Sequence, residues 1–133
     1  MTYAEMNPDQ QMSLTREVMS LLFGWGLSGS EIVVILGLPE GSRARIVRRL
    51  GEDQALPVDD TVQTHVTHLM GIGDALRTTH PRSPQMRDRW MRQPCRQFRG
   101  KSPVQVMVEE ELNGLLRVRR HLDCAFGWDE TGS

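Results

Sequence analysis

Lysine is almost absent from this 133-residue chain, which carries 15 arginines and the single Lys101. Cysteine is equally scarce: Cys95 and Cys124 are too few for a disulfide framework and lie too far apart for a CxxC metal motif. The longest apolar run, Ile32 to Leu38, is far shorter than the roughly 18 residues a membrane helix needs. The first ten residues hold Glu5 and Asp9 but no base, so they lack the form of a secretory signal. A cytoplasmic protein with no membrane association and free thiols is expected. Strand alternation, internal repeats and Gly-rich phosphate loops are also missing, and no Ser, His and acid spacing suggests a nucleophile. No catalytic residue and no cofactor is assigned, and the chain is read as a non-enzyme.

Net charge is small as well, formally −1, but that value averages over segments of opposite sign. Residues 1–42 hold five acids and one base, and residues 43–51 hold four arginines and no acid. Residues 52–76 hold five acids and no base, residues 77–101 eight bases against Asp88, and residues 102–133 six acids and three bases. Two basic islands are therefore separated by acidic stretches. Arginine's planar fork suits bidentate contacts with phosphate or carboxylate. The partner of the second island stays open between DNA, an acidic protein surface and acids of the same chain.

What is present reads as helix. Leu14, Val18, Leu21, Leu22 and Trp25 follow helical spacing, and Gly24 and Gly26 end that stripe. Ser28-Gly29-Ser30-Glu31 has the S-x-x-E form of a capping box before a short helix over Ile32 to Leu36. After Gly37-Leu38-Pro39-Glu40, a helix is expected across Ser42 to Leu50, with Gly51 closing it. A longer helix is expected from Asp59 or Asp60 to about Leu76. Ser83-Pro84 and Ser102-Pro103 supply N-cap and N1 for two more, the second running through Leu112. Asn113-Gly114 reads as a turn, and Leu115, Val118 and Leu122 as the stripe of a last helix. The fold class is all-α with six to seven helices. Its parts are an N-terminal tail (1–13), a helix-turn-helix region (14–56), a second helical region (57–126) and a C-terminal tail (127–133).

In a helix-turn-helix unit the third helix enters the major groove and flanking cations meet phosphates. Ser42, Arg43 and Arg45 are the candidates for base edges, and Arg48 and Arg49 for the backbone. His65 and His68, at i and i+3, have no third ligand nearby in sequence, so no metal site is assigned. Glu109, Glu110 and Glu111 fan around a helix and do not converge on a substrate.

From Trp90 the chain reads Trp90-Met91, Pro94, Phe98, Gly100, Ser102-Pro103 and Val106-Met107, then Gly114, Val118 and Leu122. Physically, Trp90 is an apolar anchor for a small core, Phe98 pins a loop, Gly100 permits a bend, and Ser102-Pro103 fixes a helix start. This W-[LM]-x2-P-x3-[LF]-x-G-x-[ST]-P-x2-[LV]-[LM] string resembles the toxin-binding domain of the Xre/MbcA/ParS antitoxins. Leu36-Gly37-Leu38-Pro39 and Ala75-Leu76-Arg77 look like that family too. Cys95 departs from the pattern, where Asn usually follows the Pro.

The resemblance implies a bacterial type II antitoxin that neutralises a RES-domain, NAD-consuming toxin by occluding its active site, and represses its own promoter. Carried onto this chain, the toxin-facing candidates are Asn113, Gly114, Arg117, Arg120, His121, Asp123 and Trp128. Partners are then the cognate toxin and promoter DNA, in a homodimer and a toxin–antitoxin hetero-oligomer, because helix-turn-helix proteins read paired half-sites. The alternative is a stand-alone helix-turn-helix regulator or adaptor without a toxin.

Overall fold

Apolar residues at helical spacing dominate the chain, and the computed structural model is correspondingly all helical among the described residues, with no strand and two isolated bridges. It describes the backbone of residues 1–39 and 41–132 and the side chains through Cys124, Glu40 excepted. Seven α-helices follow in order: α1 (Pro8–Gly24), α2 (Gly29–Ile35), α3 (Ile46–Arg49), α4 (Asp60–Thr79), α5 (Pro84–Arg92), α6 (Pro103–Glu110) and α7 (Leu112–Gly132). Two 3-10 turns, Tyr3–Glu5 and Arg96–Phe98, complete the set. Contacts divide the chain into two compact units, Met1–Thr67 and His68–Ser133, and the division falls within α4.

In the first unit, residues 1–13 are structured where a tail was expected. Asn7 caps α1 by accepting from Gln10 N, with Pro8 at N1, so the helix starts before its apolar stripe does. The buried Tyr3 donates its hydroxyl to Leu56 O at 2.6 Å. Thr15, also buried, donates to Gln11 O and accepts from Leu56 N at 2.9 Å. The Pro57 stretch has the composition of a linker, yet these bonds fasten Leu56 inside the first unit.

α2 begins as its sequence demands, with Ser28 accepting from Glu31 N and the Glu31 carboxylate accepting from Ser28 N. Its Ile32 and Ile35 are buried with Val18, Leu22, Trp25 and Leu36. Gly37 follows at φ 68°, and a Cβ there would sit 2.8 Å from the His65 ring. His65 is itself buried, and its Nδ1 donates to Ile35 O at 2.9 Å. A carbonyl can only accept, so Nδ1 carries the proton.

The third helix is shorter than its sequence suggests. Only Ile46–Arg49 is α-helical, and residues 43–48 are linked by successive i→i+3 bonds. Ser42 does not cap it, because its hydroxyl turns back to Pro39 O at 2.6 Å. No side chain caps the orphan amides at Arg45, and Gly51 at φ 89° closes the segment. Glu40 lies outside the described residues.

In the second unit α6 packs against α5 and α7, burying Met91, Phe98, Val106, Met107, Leu115, Val118 and Leu122. The turn between α6 and α7 sits at Glu111, which adopts φ 56°, ψ −125°, and not at Asn113-Gly114. Gly114 is inside α7 and buried. A Cβ on it would lie 2.8 Å from Met107 Cα and 2.9 Å from Val106 C, and closer still to Val106 O. Its role is close approach of two backbones, not bending. α7 then continues through Gly132, so residues 127–132 extend the last helix where a tail was expected.

Candidate functional site

Cations collect at two places, one in each unit. In the first, Arg43, Arg45 and Arg49 line an open cleft of about 640 Å3 together with Ile46 and Gln54. Arg49 is tethered to Asp53 at 3.2 Å, whereas Arg43 and Arg45 form no ion pair with described residues. Arg48 is exposed on a different surface, beside Arg16, Phe23 and Glu52. Three of the candidates need correction. Ser42 spends its hydroxyl proton on Pro39 O, and Ser42, Arg43 and Arg45 all precede α3 instead of riding on its first turn. What remains is a cluster of guanidinium groups around a cleft, presented largely by a turn.

In the second unit the site is built around α7. Its buried stripe, Leu115, Val118 and Leu122, turns the opposite face to solvent, where Asn113, Arg117, Arg120 and Cys124 recur at helical spacing. Leu116 borders that face, 36% exposed, an apolar contact that sequence reading omitted. Placing Asn113 and Arg120 on the helix first would have exposed it, since 113, 116 and 120 are neighbours at i, i+3 and i+7.

An aromatic cluster fixes one edge of the same surface. Trp90 stacks on His121, with centroids 5.9 Å apart and planes 7° from parallel. Phe98 meets His121 edge-on at 5.5 Å, and the Arg117 guanidinium lies 5.5 Å from the centre of the Phe98 ring. Arg117 also ion-pairs with Glu110 of α6. Trp90 is therefore only half-buried and is no core anchor; Trp25 is the tryptophan that fills a core. The scaffold residues Trp90 and Phe98 and the contact candidates Arg117 and His121 form one continuous patch.

The remaining calls divide. Gly114 is enclosed between helices and offers no surface to a partner. Asp123 is exposed and 3.9 Å from Arg119, and Arg119 also donates to His68 Nδ1 at 3.0 Å. The side chain of Trp128 lies outside the described residues. Ser102 accepts from Gln105 N as an N-cap, Pro103 is buried at N1, and Pro94 and Gly100 are exposed in the loop between α5 and α6. Cys95 and Cys124 are free thiols. Among the described residues, no three His, Cys, Asp or Glu side chains gather to hold a metal. No described helix is long and apolar enough to cross a membrane.

Charge within this unit is tuned by neighbours. Burial pushes the Asp88 carboxyl above its ordinary value, with Arg92 and Arg87 pulling the other way. The hydrogen bond from Lys101 holds Glu109 below the usual carboxylate range.

These features coincide with a known domain. Residues 75–126 match the Xre/MbcA/ParS antitoxin C-terminal toxin-binding domain, a span that holds Trp90, Phe98 and the α7 face through Cys124. The chain is also 31% identical over 103 residues to the uncharacterized protein y4oB of Sinorhizobium fredii, covering 77% of this chain and 76% of that protein. An all-helical chain that carries the toxin-binding domain and aligns along most of its length with a relative belongs to the Xre/MbcA/ParS family of antitoxins.

Proposed function

We propose that this antitoxin neutralises a RES-domain, NAD-consuming toxin by laying the exposed face of α7 over the toxin's active site. One observation carries the reading: Asn113, Arg117 and Arg120, with Leu116 at their border and the Trp90–His121 stack beside Arg117, make one mixed face inside the matched domain. Such a face has the ingredients of a partner hot spot, an apolar and aromatic patch with arginines around it. Occlusion needs no catalytic group from the antitoxin, and none is assigned. The protein acts in the cytoplasm, where NAD and its operon are found.

The cleft of Arg43, Arg45 and Arg49 supports a second part of the proposal, autorepression of the operon by a homodimer or by the toxin–antitoxin complex. Arginines on a turn before a one-turn helix reach phosphates and groove edges with fewer positions than a full recognition helix offers. Sequence preference should therefore be modest and concentrated in Arg43 and Arg45.

The test is to identify a RES-type gene beside this one and co-express it with wild-type chain and with Arg117→Ala/Arg120→Ala, reading growth and cellular NAD. Wild type should restore both, and the double variant should restore them poorly while remaining folded. Full rescue by the double variant removes α7 from the contact. Toxicity unaffected by the wild type leaves the stand-alone regulator.

A further inference from the structure

The second basic island is left over from that account. Arg82, Arg89, Arg96 and Arg99 are all exposed, and none forms an ion pair or hydrogen bond through its guanidinium with any described residue. Arg92 is exposed too and acts only at longer range on Asp88, the lone acid of residues 77–101. On α5 the solvent face is Gln85, Arg89 and Arg92, one helical stripe, with Arg82 just before the helix and Arg96 just after it. No acid among the described residues neutralises this ridge.

Its last member is held against conformational preference. Arg99 sits at φ 57°, ψ 39°, the left-handed region that Gly or Asn occupies at less cost. The loop around it is closed by Cys95 N to Lys101 O, Gly100 N to Cys95 O and Lys101 N to Phe98 O, each at 3.0–3.1 Å. Phe98 is buried beneath it. A rigid loop thus presents a guanidinium from a strained position, which is a feature expected where the side chain has work to do.

We infer that the α5 ridge and the Arg96–Arg99 loop form a phosphate-contacting surface for duplex DNA. Two facts favour DNA over an acidic protein. The ridge's neighbours are Gln85, Gln93, Pro94, Gln97 and Gly100, Met86 is the one large exposed apolar side chain on α5, and the half-buried Trp90 is engaged by His121 in the α7 patch, so no apolar centre lies among the ridge arginines themselves. A row of unpaired arginines with one acid matches a ligand of uniform negative charge, roughly one per 1.7 Å of duplex. The inference deepens the proposed promoter binding and rests on that reading only in taking DNA as the ligand. Arg43 and Arg45 would supply sequence preference, and the ridge would supply affinity independent of sequence.

The experiment is fluorescence anisotropy on the full chain, with a labelled duplex from upstream of its gene and a scrambled duplex of equal composition, at salt from about 50 to 200 mM. Two ridge variants are compared with wild type: Arg82→Gln/Arg89→Gln/Arg96→Gln, and Arg99→Gly. The triple variant should bind both duplexes at least about 10-fold more weakly at the lowest salt, with a log–log salt slope shallower by about 2.7, at 0.9 per lost phosphate contact. Arg99→Gly should melt a few degrees higher than wild type through relief of its backbone, yet bind both duplexes more weakly. Unchanged affinity and slope in both variants overturn the inference, as does absence of duplex binding by wild type at the lowest salt. Normal DNA binding with lost capture of the toxin would overturn it in favour of an acidic protein face. The N-terminal reading fails separately, if Arg43→Ala/Arg45→Ala keeps the wild-type preference for the upstream duplex over the scrambled one.

Discussion

Gly114→Ala tests the α6–α7 corner directly. The added methyl would meet main-chain atoms, 2.8 Å from Met107 Cα and 2.9 Å from Val106 C, where carbon atoms normally rest about 3.5–4.0 Å apart. Backbone cannot swing aside as a side chain can, so α6 must retreat by close to 1 Å along its contact with α7. Overpacking of this kind costs about 3 kcal/mol at the upper end of its range. Alanine returns about 1 kcal/mol in helix propensity, which leaves a net loss of about 2 kcal/mol. With an unfolding entropy near 2.1 cal/mol/K per residue, a chain of this length should melt about 7 °C lower. Gly71→Ala is the control. Its methyl would come 2.5 Å from Arg119 Cζ, the far end of a partly exposed flexible side chain, and the same propensity gain, about 3.6 °C on this scale, should at least offset moving Arg119 aside, so the Tm should not fall below wild type. Differential scanning calorimetry of the two variants decides the matter. A Gly114→Ala protein as stable as wild type would refute the claim that this glycine exists to let two backbones touch.

Thr15→Val should cost about 1–3 kcal/mol by chemical denaturation, because it keeps the shape but strands the buried Leu56 N–H that the hydroxyl accepts. Glu111→Gly should raise stability by about 1 kcal/mol in the same assay, since φ 56°, ψ −125° is strained for any residue with a side chain. Asp88→Asn should raise the Tm near pH 7 and leave it unchanged near pH 3. The sign follows from burial, which raises the folded-state pKa of Asp88. The folded state then holds the proton more tightly than the unfolded chain, and its advantage fades as pH rises through the raised value. The lowered pKa of Glu109 works oppositely, so Lys101→Met should remove stability that is present above the usual carboxylate range and lost as pH falls.

How much of this was legible in the sequence depended on whether the signal was local. Ser28, Ser83 and Ser102 announced helix starts because a cap is a contact over three residues, and each accepts the amide bond its motif promised. The buried stripe of α7, Leu115, Val118 and Leu122, followed from period alone, whereas in α1 the expected Leu14 and Leu21 are only half-buried and Thr15 and Met19 fill the core beside Val18 and Leu22. Position 114 misled for the opposite reason: Asn-Gly is a turn signal, but this glycine answers to α6 packed against it, a neighbour that local sequence does not name. Ser42 likewise looked like a helix start, and its hydroxyl found Pro39 O instead.

The site shows the same division. Composition and order alone established an all-helical chain, two arginine islands separated by acids, and the Trp90-to-Pro103 motif, because charge count and motif spacing are properties of the string. Only the tertiary structure decided that Trp90 lies half-exposed on His121 and that Arg117 joins Phe98 and Glu110. It also decided that Arg82, Arg89, Arg96 and Arg99 pair with no acid among the described residues. Pairing is a matter of a few ångströms between residues distant in sequence, and a charge's availability depends on which acids the packing of helices brings within that reach.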